Sequence, residues 1–156
     1  AASRVSGTRI LQDYLREFIQ HGNNHNIAMF DIDKFKLVND RYGHNIGDKV
    51  IIDVIKAVSS ILGQSGKIVR WGGDEFVILF YKEFSQLELK RILGKMNKKA
   101  NAIKFTTEDG IKFNVSISIG AGKMHETDSS IFDTIKRIDD ALYLAKRDRN
   151  TYRIMD

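Results

Sequence analysis

Two segments of the chain combine an apolar run with a pair of carboxylates. Residues 27–33 read IAMFDID, and residues 70–76 read RWGGDEF. Apolar runs favour burial, whereas an unpaired carboxylate is costly to bury. Two neighbouring buried strands that bring Asp31, Asp74 and Glu75 to one place would satisfy both tendencies. Carboxylates gathered at the rim of a sheet are ligands that Mg²⁺ prefers, and this ion suits phosphoryl transfer.

The stretch Gly72-Gly73-Asp74 predicts a tight turn between two strands, because glycine tolerates positive φ and lets other groups approach the backbone. Glycine and aspartate also favour turns without any ligand, so ordinary turn chemistry is an alternative interpretation. Glu75 adds a second, adjacent carboxylate, whose repulsion a turn does not require. A bound cation would remove that repulsion, and the pair therefore favours a metal site.

Asp31 and Asp33 follow the first apolar run and have different predicted roles. Asp33 is expected to cap the short helix that follows, a common position for aspartate. Asp31 directly follows Phe30 inside the run, where an uncompensated charge is costly. If the hairpin at 67–80 lies beside this strand, Asp31 and Asp74 can share one ion.

Several polar residues after the first strand have the types that a purine nucleotide needs. Asn39 and Asp48 have ordinary interpretations as a helix-end residue and a helix N-cap. Alternatively, Asp48 accepts from N1–H and N2–H₂ of a guanine while Asn39 meets its O6 or N3 edge. His44 is either a surface-loop residue or a ligand contact. Lys36 lies three residues before Asn39 on one predicted helix, so both can face one pocket, where a lysine would offset charge on a phosphoryl group.

A cluster of cations, Lys146, Arg147 and Arg149, lies at the end of the last predicted helix. Favourable interaction with the helix dipole explains such a cluster without a ligand. Phosphate binding is the rival interpretation, and spacing alone does not separate the two.

The composition is that of one ordinary globular domain, with 156 residues, 42% of them hydrophobic and 29% charged. No apolar run approaches the roughly 18 residues that span a bilayer, and the first residues lack a signal-peptide core. These features predict a cytoplasmic domain that makes no membrane contact itself. Zero cysteines exclude disulfides and thiolate metal sites. Because the first residue is not Met, we expect a single domain, 1–156, excised from a longer signalling protein whose regulatory domain is missing.

The net charge of +5 raises the alternative of a nucleic-acid-binding module. The lysines and arginines are spread along the chain, however, and aromatic residues are not interleaved with them as in proteins that stack bases. We therefore expect no nucleic acid among the partners, and interpret the charge as a solvated surface with a few cations that serve an anionic small molecule.

Hydrophobic periodicity predicts the element order α-β-α-α-β-β-α-β-β-α-β. Helices are predicted over about 8–20, 34–41, 48–62, 85–101 and 131–145, and five of the six strands over 26–32, 67–71, 75–80, 115–120 and 151–154. A loop is predicted at 43–47, and the sixth strand leads into a hairpin turn at 106–110. The first strand is apolar on both faces and hence central, whereas the strand at 115–120 alternates and predicts one buried face. The fold class is therefore an α/β (α+β) sandwich with a mixed, largely antiparallel central sheet flanked by helices.

Five motifs in order resemble those of the GGDEF family of diguanylate cyclases, over nearly the whole chain. Residues 72–76 read GGDEF, residues 31–40 read DIDKFKLVND and residues 43–48 read GHNIGD, and the runs VSISIG at 115–120 and ALYLAK at 141–146 are similar to later family motifs. The resemblance implies the palm-like fold of nucleotide cyclases. It also implies that two domains, each holding one GTP, meet in a transient homodimer and form cyclic di-GMP and pyrophosphate.

The resemblance also implies roles for individual residues. Asp31, the Ile32 carbonyl, Asp74 and Glu75 would ligate Mg²⁺ or Mn²⁺, with Asp74 as a candidate proton acceptor. Lys36 would stabilise the transition state. The guanine nucleotide would be held by Asn39, His44 and Asp48, and its phosphates by Lys146 and Arg149. A catalytically silent, GTP-binding regulatory domain, such as precedes a phosphodiesterase domain in tandem members, is the alternative function.

Three departures from the family pattern stand out. Residues 63–66 read GQSG where the family often carries an Arg-x-x-Asp inhibitory site, which predicts no product inhibition there. Residues 145–150 read AKRDRN, one residue shorter than the family's AKxxGRN and without its glycine, which leaves the phosphate role of Arg149 open. The entry motif is poorly kept at residues 6–11, which would weaken the wall of the nucleotide pocket.

Overall fold

A computed structural model describes residues 26–125 and 127–155, together with residues 9, 10, 13 and 16. Most of the helix predicted over 8–20, and most of the motif at 6–11, lie outside the described residues. Among the described residues, no helix combines the length and apolar character needed to cross a membrane.

Eleven helices and strands follow one another along the described chain. The strands are β1 (Asn26–Ile32), β2 (Gly66–Arg70), β3 (Glu75–Phe80), β4 (Phe105–Thr106), β5 (Lys112–Phe113), β6 (Ile117–Lys123) and β7 (Tyr152–Ile154). The helices are α1 (Phe35–Tyr42), α2 (His44–Leu62), α3 (Gln86–Asn101) and α4 (Ile131–Asp148), with a short 3₁₀ turn at Gly63–Ser65.

A five-stranded sheet in the order β2-β3-β1-β6-β7 forms the centre of the molecule. The pairs β1–β3, β1–β6 and β2–β3 are antiparallel, and only the edge strand β7 runs parallel to its neighbour β6. The predicted mixed, largely antiparallel sheet is confirmed, and so are the central position of β1 and the hairpin of β2 and β3. A two-stranded sheet of β4 and β5 carries the predicted turn at 106–110.

Alternate residues of the sheet belong to two separate hydrophobic cores. Phe30, Phe76 and Ile78 pack in the larger core with residues of α2 and α3, such as Val54 and Leu93. The residues on the opposite face pack with α4, and they include Ile27, Met29, Val77, Leu79, Ile138 and Leu142. Because β1 is buried on both faces, any charge at its end needs compensation.

Gly120 lets α4 pack closely against the sheet. A Cβ at this position would lie 2.3 Å from the Leu142 backbone nitrogen and 2.6 Å from the Ile138 carbonyl oxygen. A residue larger than glycine would push α4 away from β6. This close approach helps bring the last turn of α4, which carries Lys146, over the end of β1.

The second helix begins earlier than the sequence predicts. Gly43 has φ of 88° and serves as the N-cap of α2, which starts at His44. The predicted loop at 43–47 is therefore wrong, and so are the N-cap role of Asp48 and the loop position of His44. Because one glycine with positive φ reverses the chain between α1 and α2, a longer connection is unnecessary.

The strand predicted at 115–120 is also shifted and more deeply buried. It runs from Ile117 to Lys123, and its first six residues are buried. The prediction of one buried face is wrong because Ile117, Ile119 and Ala121 pack in the larger core while α4 covers the opposite face at Gly120. A hydroxyl inside this strand, that of Ser118, is satisfied by a buried carboxylate.

Candidate active site

The antiparallel pairing of β1 with β3 places Asp31 directly opposite Glu75. Asp74 immediately precedes β3, so the residues of both predicted carboxylate segments meet at one end of the strand pair. Asp31 is 4% exposed, and its Oδ1 atom is buried without a hydrogen-bond partner among the described residues. The negative charges of Glu75 and Asp74 act on it.

Lys146 brings a positive charge to this cluster. Its Nζ atom, at the end of α4, contacts Oδ2 of Asp31. Burial raises the pKa of Asp31 to about 6, with contributions from Glu75 and Asp74, although the contact with Lys146 acts in the opposite direction. Partial burial lowers the pKa of Lys146, but its hydrogen bond to Asp31 and the three negative charges outweigh that effect and raise it overall.

The arrangement around Asp31 is chemically suited to a divalent cation. A buried carboxylate oxygen without a partner and two further carboxylates nearby are hard oxygen donors, which Mg²⁺ and Mn²⁺ prefer. The described residues contain no ready-made group of three or more acidic, His or Cys side chains that could hold a metal ion. A metal here would therefore draw some of its ligands from elsewhere, such as the Ile32 carbonyl or a bound substrate.

Arg70 stabilises the turn between β2 and β3 by hydrogen bonds, and the sequence analysis did not predict this role. Its guanidinium donates to the Gly73 carbonyl at 2.5 Å and 3.1 Å, and to the Gly72 carbonyl at 3.2 Å. The guanidinium also lies 5.9 Å from the centroid of the Phe76 ring. The sequence did contain a signal for this role. An arginine ends the strand that leads into two glycines, and the carbonyls of such a turn need hydrogen-bond donors.

The two glycines of this turn have different surroundings. A Cβ on Gly72 would lie 3.2 Å from Oε2 of Glu75, whereas a Cβ on Gly73 would meet nothing within 4 Å. The backbone of Gly73 is therefore open to an approaching group, and the Gly72 side of the turn is closed by Glu75.

The predicted purine contacts lie on the two helices that Gly43 joins. Asn39 on α1 is half-buried, and its Oδ1 atom packs against Gly47 of α2. His44, Asp48 and Lys36 are exposed. The structure thus brings the short helix of Asn39 and Lys36 beside the first turns of α2, with three side chains free to contact a ligand.

Asp33 does not cap the helix that follows it, contrary to the sequence-based expectation. The N-cap of α1 is Lys34, which has φ of 56° and no capping side chain. The Asp33 carboxylate instead accepts from the hydroxyls of Ser116 and Ser118, both at 2.6 Å, and from the Asn150 backbone N–H at 3.0 Å. These long-range bonds tie the end of β1 to β6 and to the segment after α4, and no local sequence pattern could reveal them.

Arg149 ends α4 and lines a cavity. It forms the C-cap of α4 with φ of 60° and ψ of 164°, a conformation that glycine adopts far more readily. It lines a cavity of about 370 Å³ with Asp33, Lys34 and Arg41. Lys146 and Arg149 therefore have different surroundings in the structure.

The chain is similar to proteins named as diguanylate cyclases. A family model described as "Diguanylate cyclase, GGDEF domain" matches residues 2–151. The chain is 32% identical over 149 residues to Diguanylate cyclase DosC of Escherichia coli K12, covering 93% of this chain and 32% of that protein. It is 34% identical over 121 residues to Diguanylate cyclase A of Treponema denticola, covering 78% and 32%. The chain thus spans about a third of the length of these relatives.

Solved structures show the same architecture. The GGDEF domain of PA1120 (YfiN or TpbB) from Pseudomonas aeruginosa superposes with a TM-score of 0.85 at 28% identity, covering 99% of this chain and 96% of that one. The GGDEF domain of DgcB from Caulobacter crescentus, solved in complex with c-di-GMP, gives 0.88 at 25% identity, covering 98% and 88%. The family match over nearly the whole sequence agrees with this likeness in fold, and the chain therefore belongs to the GGDEF domain family of diguanylate cyclases.

Proposed function

We propose that this domain condenses two molecules of GTP into cyclic di-GMP and two molecules of pyrophosphate. The observation that carries the proposal is the pairing of Asp31 with Glu75, because it gathers the carboxylates of two separate motifs beside the GGDEF turn. The relatives' names support the same reaction.

The metal in this proposal is Mg²⁺ or Mn²⁺. Asp31, the Ile32 carbonyl, Asp74 and Glu75 would hold it. When bound, the ion supplies positive charge that offsets the negative charge of the triphosphate.

The remaining chemistry is assigned to the chain's own side chains. The 3′-oxygen of each GTP attacks the α-phosphorus of the other, so two condensations close the ring. In each condensation a new P–O bond forms, the bond from the α-phosphorus to the oxygen bridging to the β-phosphate breaks, and one pyrophosphate leaves. Asp74 accepts the proton that the 3′-hydroxyl loses, and Lys36 offsets the charge that develops on the phosphoryl group. Lys146, whose Nζ contacts Asp31, would bind the phosphates of the nucleotide.

Base recognition is assigned to α1 and α2. Asp48 accepts from the N1–H and N2–H₂ groups of guanine, and Asn39 binds another part of the same base edge. His44, exposed in the first turn of α2, completes the nucleotide contacts. Buried or partly buried polar groups that match one base leave unpaired partners with another, which favours GTP over ATP.

The reaction needs two GTP molecules, and each domain has one such site. The proposal therefore includes a transient homodimer with the sites facing each other, brought together by a regulatory segment of a longer protein. The stretch Gly63–Gly66 offers neither arginine nor carboxylate, so product binding at that position is not expected to inhibit the enzyme.

GTP turnover measured against protein concentration tests the proposal. With Mg²⁺ present, cyclic di-GMP formation per domain should rise with concentration because two domains must meet. A version fused to a dimeric coiled coil should lose this dependence. GTP binding without product, even in the fused dimer, would instead favour the silent regulatory domain. The observation behind this alternative is Arg149, which has a glycine-like backbone conformation in the shortened stretch where the family has a glycine.

A further inference from the structure

Gly47 provides the space that the Asn39 side chain occupies. A Cβ built on Gly47 would lie 1.8 Å from Oδ1 of Asn39 and 3.0 Å from its Cγ. It would also lie 3.3 Å from the end of the Phe35 ring. Cβ contacts below 3.0 Å are essentially never seen in proteins, so a side chain at position 47 and the present position of the Asn39 amide exclude each other.

The backbone at Gly47 gives no other reason for glycine. Gly47 lies inside α2, is buried, and does not have the positive φ of Gly43, Gly63 or Gly110. Alanine is a better helix former than glycine at such a position. The glycine is therefore explained by packing against α1 rather than by backbone conformation.

The connection between the helices holds the backbone of Asn39 close to Gly47. The Gly43 N–H donates to the Asn39 carbonyl at 2.9 Å, and the Gly47 N–H donates to the Gly43 carbonyl at 3.1 Å. These two bonds join the backbone of α1 to that of α2 through one residue, Gly43, and so keep the starting point of the Asn39 side chain next to Gly47. Its Oδ1 atom is buried without a hydrogen-bond partner among the described residues.

Asn39 and Asp48 are consequently linked through Gly47. Asp48 follows Gly47 in α2 and is exposed, whereas Asn39 is half-buried with its amide oxygen inward. The inward position of Oδ1 leaves the amide nitrogen as the end able to meet a ligand. We call the space beside Gly47 that Oδ1 of Asn39 occupies the notch. A Cβ at position 47 would displace the Asn39 amide from this notch and change its position relative to the Asp48 carboxylate.

We infer that Gly47 is a positioning residue for nucleotide recognition: it sets the depth of the Asn39 amide so that Asn39 and Asp48 bind one guanine together. This inference rests on the proposed function, in which these two side chains hold the base. Gly47 itself makes no contact with the nucleotide in the proposal, and its effect acts through Asn39.

The first test is a double-mutant cycle on nucleotide affinity, measured by calorimetry with Mg²⁺ and GTP. Gly47→Ala should weaken GTP binding about tenfold or more, and the double variant Gly47→Ala/Asn39→Ala should bind no more weakly than Asn39→Ala alone. Affinity for inorganic triphosphate, which lacks the base, should not change. Gly94→Ala is the matched control, because it also places a Cβ in a helix but meets only Tyr152, at 3.7 Å. Additive losses in the double variant would overturn the inference.

The second test uses unfolding in denaturant without nucleotide, so it does not depend on the proposed function. Gly47→Ala should destabilise the domain when Asn39 is present, because the amide must move. In the Asn39→Ala background the same substitution should be stabilising. The conflict with the amide is gone, the Phe35 ring at 3.3 Å has to give by only a few tenths of an ångström, and alanine favours the helix. If the substitution is equally damaging in both backgrounds, the notch is not what Gly47 provides. If the sign reverses but Asn39→Ala binds GTP normally, the packing stands and the assignment of Asn39 to guanine fails.

Discussion

Asp31 and Glu75 are cross-strand partners in the pairing of β1 with β3, so two acidic side chains start from opposite positions of one ladder. Like charges placed in this way destabilise a sheet. The cost is increased because Asp31 is 4% exposed, and the contact with Lys146 offsets it only in part, since the pKa of Asp31 remains raised to about 6. The domain thus keeps at the end of its central strand a charge that burial disfavours. This is the expected result of selection for binding rather than for stability.

Replacing Asp31 with asparagine tests whether this cost serves a metal. At pH 7.5 without metal, Asp31→Asn should raise the free energy of unfolding by about 1–3 kcal/mol, because a buried charge is removed while the exposed Lys146 is easily solvated. Mg²⁺ should raise the Tm of the unchanged domain but not that of the variant. Asp53→Asn, a half-buried acid on α2, is the control and should keep the metal response. An equal Mg²⁺ effect in both proteins would remove Asp31 from the metal site.

Arg70 should matter for turnover more than for stability. Its hydrogen bonds hold the Gly72 and Gly73 carbonyls, and these residues precede the proposed ligands Asp74 and Glu75. We expect Arg70→Ala to lower kcat for GTP about tenfold or more, because small displacements of reacting groups are costly. The free energy of unfolding should fall by only about 1 kcal/mol, since the bonds are partly exposed.

The control for Arg70 is Lys67→Ala, which removes an exposed cation from the same strand without touching the turn. Loss of activity in both variants would point to the net charge of β2. Full activity in Arg70→Ala would mean that the turn keeps its geometry without the arginine.

Asp48 should determine which base the domain accepts. If its carboxylate receives the N1–H and N2–H₂ groups of guanine, Asp48→Ser should reduce the ratio of kcat/KM for GTP over that for ATP by about tenfold or more. Thermal stability should hardly change because Asp48 is exposed. Asp53→Ser, on the same helix but five residues further along, is the comparison. Unchanged base preference in Asp48→Ser would assign guanine recognition to other residues.

The fold could be predicted where its signal is local. Apolar runs and helical stripes predicted the central strand at 26–32, the β2–β3 hairpin and the helix at 85–101. The start of α2 was missed because a single glycine at positive φ, Gly43, replaces a loop that polar residues suggested. The two-sided burial of β6 was missed because it depends on which elements pack around it.

The meeting of the carboxylate segments in the candidate site was predictable for the same reason, whereas the contacts of Asp33 and Lys146 were not. Carboxylates at the ends of apolar runs pointed to Asp31, Asp74 and Glu75, and the antiparallel register brings their strands together. The role of Asp33 was wrong, since its partners lie more than eighty residues away in sequence. The contact of Lys146 with Asp31 was likewise invisible to spacing, because it depends on the close packing of α4 that Gly120 permits.

Arg149 occupies a backbone conformation that costs energy. With φ of 60° and ψ of 164°, it lies in a region used mainly by glycine. Arg149→Gly should therefore raise the free energy of unfolding by about 1 kcal/mol. Arg147→Gly, placed in the last turn of α4, should lower it by about the same amount through lost helix propensity. A KM for GTP that stays constant in Arg149→Gly would remove Arg149 from the phosphate contacts, and destabilisation by this variant would show that its side chain stabilises the fold.

The ion pair of Asp128 and Arg137 should make stability sensitive to acid. The Arg137 guanidinium donates to both carboxylate oxygens, at 3.0 Å and 2.9 Å, and the Thr134 hydroxyl donates at 2.6 Å. The hydrogen bond from Arg137, together with those from Thr134 and the His125 backbone N–H, holds the pKa of Asp128 well below its ordinary value. A carboxylate whose pKa is depressed in the folded state contributes stability above its unfolded pKa of about 4, and this contribution is lost as the pH falls further.

Asp128→Asn should accordingly cost about 3 kcal/mol at pH 7, because the Asp128 side chain is 5% exposed and the variant leaves Arg137 without its charge partner. The difference between the two proteins should shrink as the pH is lowered from 5 to 2, measured by urea unfolding at each pH. Asp148→Asn breaks the exposed pair with Arg153 and should cost at most about 1 kcal/mol at any pH. A difference for Asp128→Asn that is independent of pH would mean that packing, rather than the charge of this carboxylate, stabilises the connection between β6 and α4.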